Sequence, residues 1–143
     1  MTDASSGVLL DTCAVVWLAN GDLREPAVGS IVAAGRGDGV FVSPVSAWEV
    51  GMLSNPRSNR PALQFLPDPK TWFAKVMARV VVREAALTAE IAIDAAYLPG
   101  DMHGDPADRL LVATARHLGV PLVTRDAKII AYATQGFVRV LPC

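Results

Sequence analysis

A chain of 143 residues, 52% hydrophobic and 19% charged, can close one core without disulfide or metal staples, so a single domain over 1–143 is expected and an intrinsically disordered chain is excluded. The net charge of −1 lacks the overall basic excess usual in phosphate-binding domains. No apolar run approaches the roughly 20 residues of a bilayer span and no basic stretch precedes an apolar one at the start, so a cytoplasmic, non-membrane protein is expected. Cys13 and Cys143 match neither a zinc spacing nor a disulfide framework, which fits a reducing compartment.

In chain order, Val8-Leu9-Leu10 reads as a short buried strand ending at Asp11, after which Thr12, Ala14, Val15, Trp17 and Leu18 follow a helical pattern. Residues 26–35 predict a second helix with Val28, Ile31 and Val32 inward, and Val40-Phe41-Val42 a buried strand. Ser43 as N-cap and Pro44 at the first helical position open a helix whose inner face would be Val45, Trp48, Met52 and Leu53. Pro56, Pro61, Pro67 and Pro69 make 54–69 a loop. Trp72, Val76 and Met77 predict a helix, Val80-Val81-Val82 a strand, and Ile91, Ile93, Ala95 and Leu98 another helix stopped at Pro99-Gly100. Asp105-Pro106 opens the clearest helix, which runs through Leu110, Leu111, Ala113, Thr114 and Leu118 to Gly119. Leu122-Val123-Thr124 is a strand, 126–133 a helix and 138–141 a last strand. Apolar strands that alternate with helices and lack an inside-outside pattern belong to a parallel sheet covered on both faces, an α/β fold.

Charge is unevenly distributed. Arg57, Arg60, Lys70, Lys75, Arg79 and Arg83 face only Asp68 in their stretch, whereas Glu84 to Asp108 holds six acids and no Lys or Arg. Such blocks form solvated faces, or they suit a cation-filled site that receives a polyanion. Ligands in open parallel sheets sit beyond the carboxyl ends of the strands. Asp11 ends the first strand, Asp126 follows the Leu122–Thr124 strand, Glu49 lies about two turns into the helix after the second strand, and Asp105 and Asp108 occupy the first turn of a later helix. Four segments can thus bring carboxylates to one rim, where their repulsion calls for a divalent counter-ion.

Oxygen-only ligands favour Mg²⁺ or Mn²⁺ over zinc, and phosphodiester hydrolysis is the chemistry such an ion supports. Thr12 and Ser46 could orient carboxylates or bind phosphate, and Arg109 and Arg125 could steady a substrate's negative charge. Plain helix capping also accounts for Asp105, Asp108 and Asp126, and a solvated edge accounts for Glu49. Asp11 is harder to explain that way, because a cap there requires the next helix to start at once. His103, beside Gly104, reads as a loop residue rather than a base, and His117 as a surface group complementing a helix end.

Four pieces in register resemble one family: Val8-Leu9-Leu10-Asp11-Thr12, Ser43-Pro44-Val45-Ser46-Ala47-Trp48-Glu49, Gly104 to Ala115 with its Asp105-Pro106-Ala107-Asp108-Arg109 core, and Leu122-Val123-Thr124-Arg125-Asp126. Each is weak alone; together, over almost the whole chain, they resemble the PIN domain and within it the VapC-type toxins. The resemblance implies a three-layer α/β/α fold with a central parallel sheet of four to five strands. It implies a metal-dependent endoribonuclease in which Asp11 and Asp108 are direct metal ligands, Glu49 is a further or water-mediated one, and Asp126 is a more variable fourth acid. It also implies an RNA substrate, Mg²⁺ or Mn²⁺ as cofactor, a homodimer and a cognate VapB-type antitoxin that silences the site. The 54–69 loop is the least typical segment.

Rival readings fare worse on the residues. A phosphatase of the haloacid dehalogenase type wants a second aspartate where Cys13 stands, and a phosphoacceptor receiver domain wants a lysine after a late strand. The Gly35-Arg36-Gly37-Asp38-Gly39 run lacks the lysine of a phosphate loop and follows a helix. A binding module that has lost catalysis usually lacks one of the acids, whereas all four positions are filled here.

Overall fold

The computed structural model describes residues 7–56 and 61–143. Arg57 and Arg60 of the basic stretch, and the start of the chain, lie outside the described residues. Five strands, β1 (Val8–Leu10), β2 (Val40–Val42), β3 (Val82–Glu84), β4 (Leu122–Thr124) and β5 (Val140–Pro142), form one sheet in the order β3-β2-β1-β4-β5. Every pairing is parallel. Seven helices are described: α1 (Thr12–Asn20), α2 (Ala27–Arg36), α3 (Pro44–Ser54), α4 (Pro69–Met77), α5 (Ala89–Ala96), α6 (Pro106–Leu118) and α7 (Ala127–Ala133). Among the described residues no helix is long and apolar enough to cross a membrane.

The period-two geometry of a strand divides the core in two. Leu9 and Leu122, with Phe41 and Val140 beside them, turn to one face, which Val45 of α3, Leu111, Val112 and Ala115 of α6 and Ile129 of α7 cover. Val8, Leu10, Val40, Val42, Val82 and Val123 turn to the other, against Ala14 and Val15 of α1, Ile31 of α2 and Val76 of α4. α5 packs Ile91 and Ala95 on Ala113 of α6. Both faces of the central strands are therefore dry, which is why β1 and β4 read as unbroken apolar runs. This is the α/β/α sandwich expected.

Local departures have physical causes. β3 starts two residues later than the Val80-Val81-Val82 run suggested, because Val80 is 99% exposed and the chain is still turning there. The edge strand uses Arg83 and Glu84 instead, charges that suit an edge exposed to water. β5 likewise lies at 140–142 rather than 138–141. On α3 the buried residues are Val45, Ser46 and Val50, and Trp48 is 54% exposed. A helix apolar nearly all round gives no stripe from which to choose its inner face. Val32, expected inward, is exposed on α2, whose buried residues are Ala27, Ile31 and Ala34.

Strand order places the site. The chain leaves β1 toward β2 on one side and β4 lies on the other, so the connections after β1 and β4 diverge. That divergence opens a crevice beyond their carboxyl ends.

Candidate active site

The crevice is a cavity of about 260 Å³ lined by Asp11, Thr12, Glu49, Asp105, Asp108 and Asp126, with Cys13, Leu111 and Arg125 completing the wall. Helix starts deliver most of these acids. Asp11 is the N-cap of α1, its Oδ1 accepting from the Ala14 N–H at 2.8 Å, since α1 begins directly at Thr12. Asp105 caps α6 by accepting from Asp108 N–H at 3.1 Å, and Asp126 caps α7 by accepting from Lys128 and Ile129 N–H. Asp108 stands in the first turn of α6. Capping and convergence are thus one fact: helices that start after parallel strands turn their N-termini, and the carboxylates those termini favour, toward the same crevice. Glu49 comes from within α3, about two turns after its cap.

Their electrostatics register the crowding. Burial, opposed by hydrogen bonds from Thr124 and the Ala14 N–H and reinforced by Asp108 and Glu49, holds the Asp11 carboxyl at about 6 against an ordinary 3.8. Burial also raises Glu49, with Asp108 and Asp105 adding to the shift, and raises Asp108, with Asp105 and Asp126 adding. The Cys13 thiol, pushed up to about 11 by burial and by Asp11 and Glu49, stays protonated and is no nucleophile at neutral pH.

Hydroxyls fix the acids. Thr12 donates to Glu49 Oε1, and the Thr12 and Ser46 hydroxyl oxygens lie 3.1 Å apart. Thr12 has a single hydroxyl proton, which the carboxylate takes, so the buried Ser46 supports Thr12 rather than reaching the cavity. Thr124, fully buried, donates to Asp11 and accepts the Asp126 N–H at 3.0 Å, tying the ends of β1 and β4 together. Sequence reasoning missed Thr124, because a threonine ending a buried strand looks like any β-branched strand residue. Thr124→Val keeps the shape and removes both bonds. The expected cost is about 1–3 kcal/mol in urea unfolding, since it leaves the buried Asp11 carboxyl and the part-buried Asp126 N–H without their Thr124 partner.

The two candidate arginines part company. Arg125 lines the cavity, with its guanidinium carbon 3.4 Å from the Trp17 ring centroid and one N–H donated to the Cys143 backbone oxygen at 2.7 Å. Arg109 does not line it. Its donors go to the Ala95, Met102, His103 and Ala96 carbonyls. The expectation that Arg109 steadies substrate charge is corrected: the guanidinium is spent on backbone. His103, by sequence a plain loop residue, places its Nε2 2.7 Å from Asp108 Oδ2. His117 is exposed in the last turn of α6, as expected.

Among the described residues no three His, Cys, Asp or Glu side chains stand close enough to hold a metal ion as they are. The donors nevertheless suit a hard divalent ion in kind. They are all oxygen, they come from four segments, and they raise one another's affinity for positive charge. Asp11, Asp108, Glu49 and Asp126 are the residues that would hold it.

The PIN domain family model matches residues 8–135. The chain is 30% identical over 122 residues, 85% of its length and 88% of the relative's, to Ribonuclease VapC22 of Mycobacterium tuberculosis (strain ATCC 25618 / H37Rv). It superposes on a chain of VapBC2 from Rickettsia felis bound to a DNA fragment from their promoter, with TM-score 0.66, 12% identity, and coverage of 95% of this chain and 98% of that one. A chain of FitAB bound to the IR36 DNA fragment gives TM-score 0.52 at 17% identity, with 94% of each chain covered. At these identities the two structures speak to the fold, while the family match and the curated relative speak to kinship: the chain belongs to the PIN domain family, among its VapC-type ribonucleases.

Proposed function

We propose that this chain is a cytoplasmic Mg²⁺- or Mn²⁺-dependent endoribonuclease, the toxin of a toxin–antitoxin pair, which acts as a homodimer and is inhibited by a cognate VapB-type antitoxin. The observation that carries the reading is the gathering of Asp11, Glu49, Asp108 and Asp126, from four separate segments, around one cavity at the topological switch point. An inactive scaffold has no reason to gather four carboxylates at one cavity when burial already penalises the charge on Asp11, Glu49 and Asp108.

An ion held by these acids would supply charge neutralisation at the scissile phosphate and acidify the attacking water. The chain's own residues do the rest. Asp11, at the end of β1, and Asp108, in the first turn of α6, bring carboxylates to the cavity from opposite segments of the chain. Thr12 holds Glu49 in one rotamer, and Thr124 holds Asp11 against Asp126, so that the oxygens are aimed before substrate arrives. Arg125, seated over the Trp17 ring with N–H groups to spare, is the cation at the rim that would steady the RNA backbone. The likeness in fold to chains of VapBC2 and FitAB, each bound to DNA, supports an antitoxin partner.

Incubation of purified protein with total cellular RNA tests the reading. Discrete fragments should appear with Mg²⁺ or Mn²⁺, disappear with EDTA, and be absent for Asp11→Asn. Absence of metal-dependent cleavage by the wild type, with no effect on growth when it is expressed, would favour a binding module instead.

A further inference from the structure

We propose that His103 is a positioning residue that fixes the Asp108 carboxylate for its ion, and that Arg109 is the clamp that holds His103 in place. The inference rests on the metal-nuclease reading above and assigns work to two residues that reading leaves idle.

The geometry begins at Asp108. Its backbone is fixed by the Asp105 cap, but a carboxylate in the first helical turn is still free to rotate, and the unbonded N–H groups of the helix N-terminus compete for it. His103 removes that freedom. With Nε2 2.7 Å from Oδ2, the ring engages one carboxylate oxygen and leaves the other available to the cavity. The pair is the closest contact between a basic and an acidic side chain among the described residues, and both partners are about four-fifths buried, so water competes poorly for it.

His103 needs support of its own, because it sits in the irregular segment between α5 and α6. Arg109, four residues past the α6 cap, supplies it. Nε donates to Ala95 O at 2.9 Å and an η-nitrogen to Ala96 O at 3.3 Å, both at the end of α5. The other η-nitrogen donates to Met102 O at 3.0 Å and His103 O at 3.2 Å. One planar fork thus joins the last turn of α5 to the backbone of His103 itself. Only an arginine presents donors in that fixed arrangement. Met102 anchors the same segment in the core, and Gln135 accepts the Asp101 N–H at 3.0 Å from the far side. The ring is therefore aimed at Asp108 by backbone held on both flanks.

The test is Mn²⁺ binding by isothermal titration calorimetry to wild type, His103→Ala, His103→Gln and Asp108→Asn, with single-turnover RNA cleavage alongside. A glutamine keeps an N–H donor within reach of Oδ2 but cannot replace an imidazole as a metal ligand or a base. His103→Ala is expected to weaken Mn²⁺ binding about 10–100-fold and to lower kcat with the RNA KM unchanged, and His103→Gln to recover to within about 3-fold of wild type. Wild-type Mn²⁺ affinity in His103→Ala, or a His103→Gln as weak as the alanine variant, would overturn the proposal. Mn²⁺ binding that Asp108→Asn leaves untouched would instead overturn the metal site on which it rests.

Discussion

Asp11→Asn is expected to make the ion-free protein more stable while removing its cleavage activity. The Asp11 carboxyl titrates at about 6 in the fold against 3.8 in a free chain, so the folded state holds its proton more tightly. A folded value above the unfolded one means that stability falls as pH rises from about 4 to about 6, and that the full penalty is present above that window. At about 1.4 kcal/mol per unit, the penalty at neutral pH is about 3 kcal/mol. Asparagine is neutral, nearly isosteric and an equally good N-cap, so it keeps the bond from the Ala14 N–H and sheds the buried charge. At pH 7.5 in EDTA its thermal midpoint should exceed that of wild type by roughly 5–10 °C, and near pH 4 the two should converge. Added Mn²⁺ should raise the wild type alone, because the ion replaces the proton as the counter-charge. An asparagine variant no more stable than wild type at pH 7.5 would show that Asp11 carries no burial penalty.

Asp108→Asn and Asp105→Asn should differ by orders of magnitude although the two residues share one helical turn. Asp105 is exposed and already engaged in capping α6. Asparagine caps as well, so cleavage should stay within about 10-fold of wild type. Asp108 is mostly buried, is held by His103, and interacts with Asp105 and Asp126 while itself acting on Asp11 and Glu49. Removing its charge takes away a carboxylate that would otherwise hold the ion, and several kcal/mol of charge stabilisation correspond to a loss of about 10³-fold or more in kcat. Single-turnover cleavage of one defined RNA fragment at saturating Mn²⁺ measures both. Equal losses in the two variants would place the ion between them and not on Asp108.

Central elements were legible in the sequence because burial on both faces leaves only one pattern that works. β1, β2 and β4 lie where their apolar runs end, and α6 runs between the Asp105-Pro106 start and the Gly119 stop. Edge elements were less so: β3 and β5 are set by pairing with a neighbour on one side, so their bounds slid by one or two residues against the hydrophobic signal. Asp11, Asp105, Asp108 and Asp126 could be placed because strand ends and helix starts mark the rim, and the capping explanation that competed with function describes the same placement. Thr124, His103 and Arg109 were illegible or misread for one reason. Their work is done through hydrogen bonds to groups whose proximity depends on the path of loops, and neither periodicity nor spacing encodes that path.

The most direct measurement of the central claim is a crystal soaked in Mn²⁺ and examined for anomalous scattering. An anomalous peak in the cavity, coordinated by Asp11 and Asp108 with Glu49 or Asp126 beside it, is the result the four-carboxylate site predicts. A protein that cuts RNA in Mn²⁺ yet shows no peak there, or binds the ion elsewhere, would contradict it.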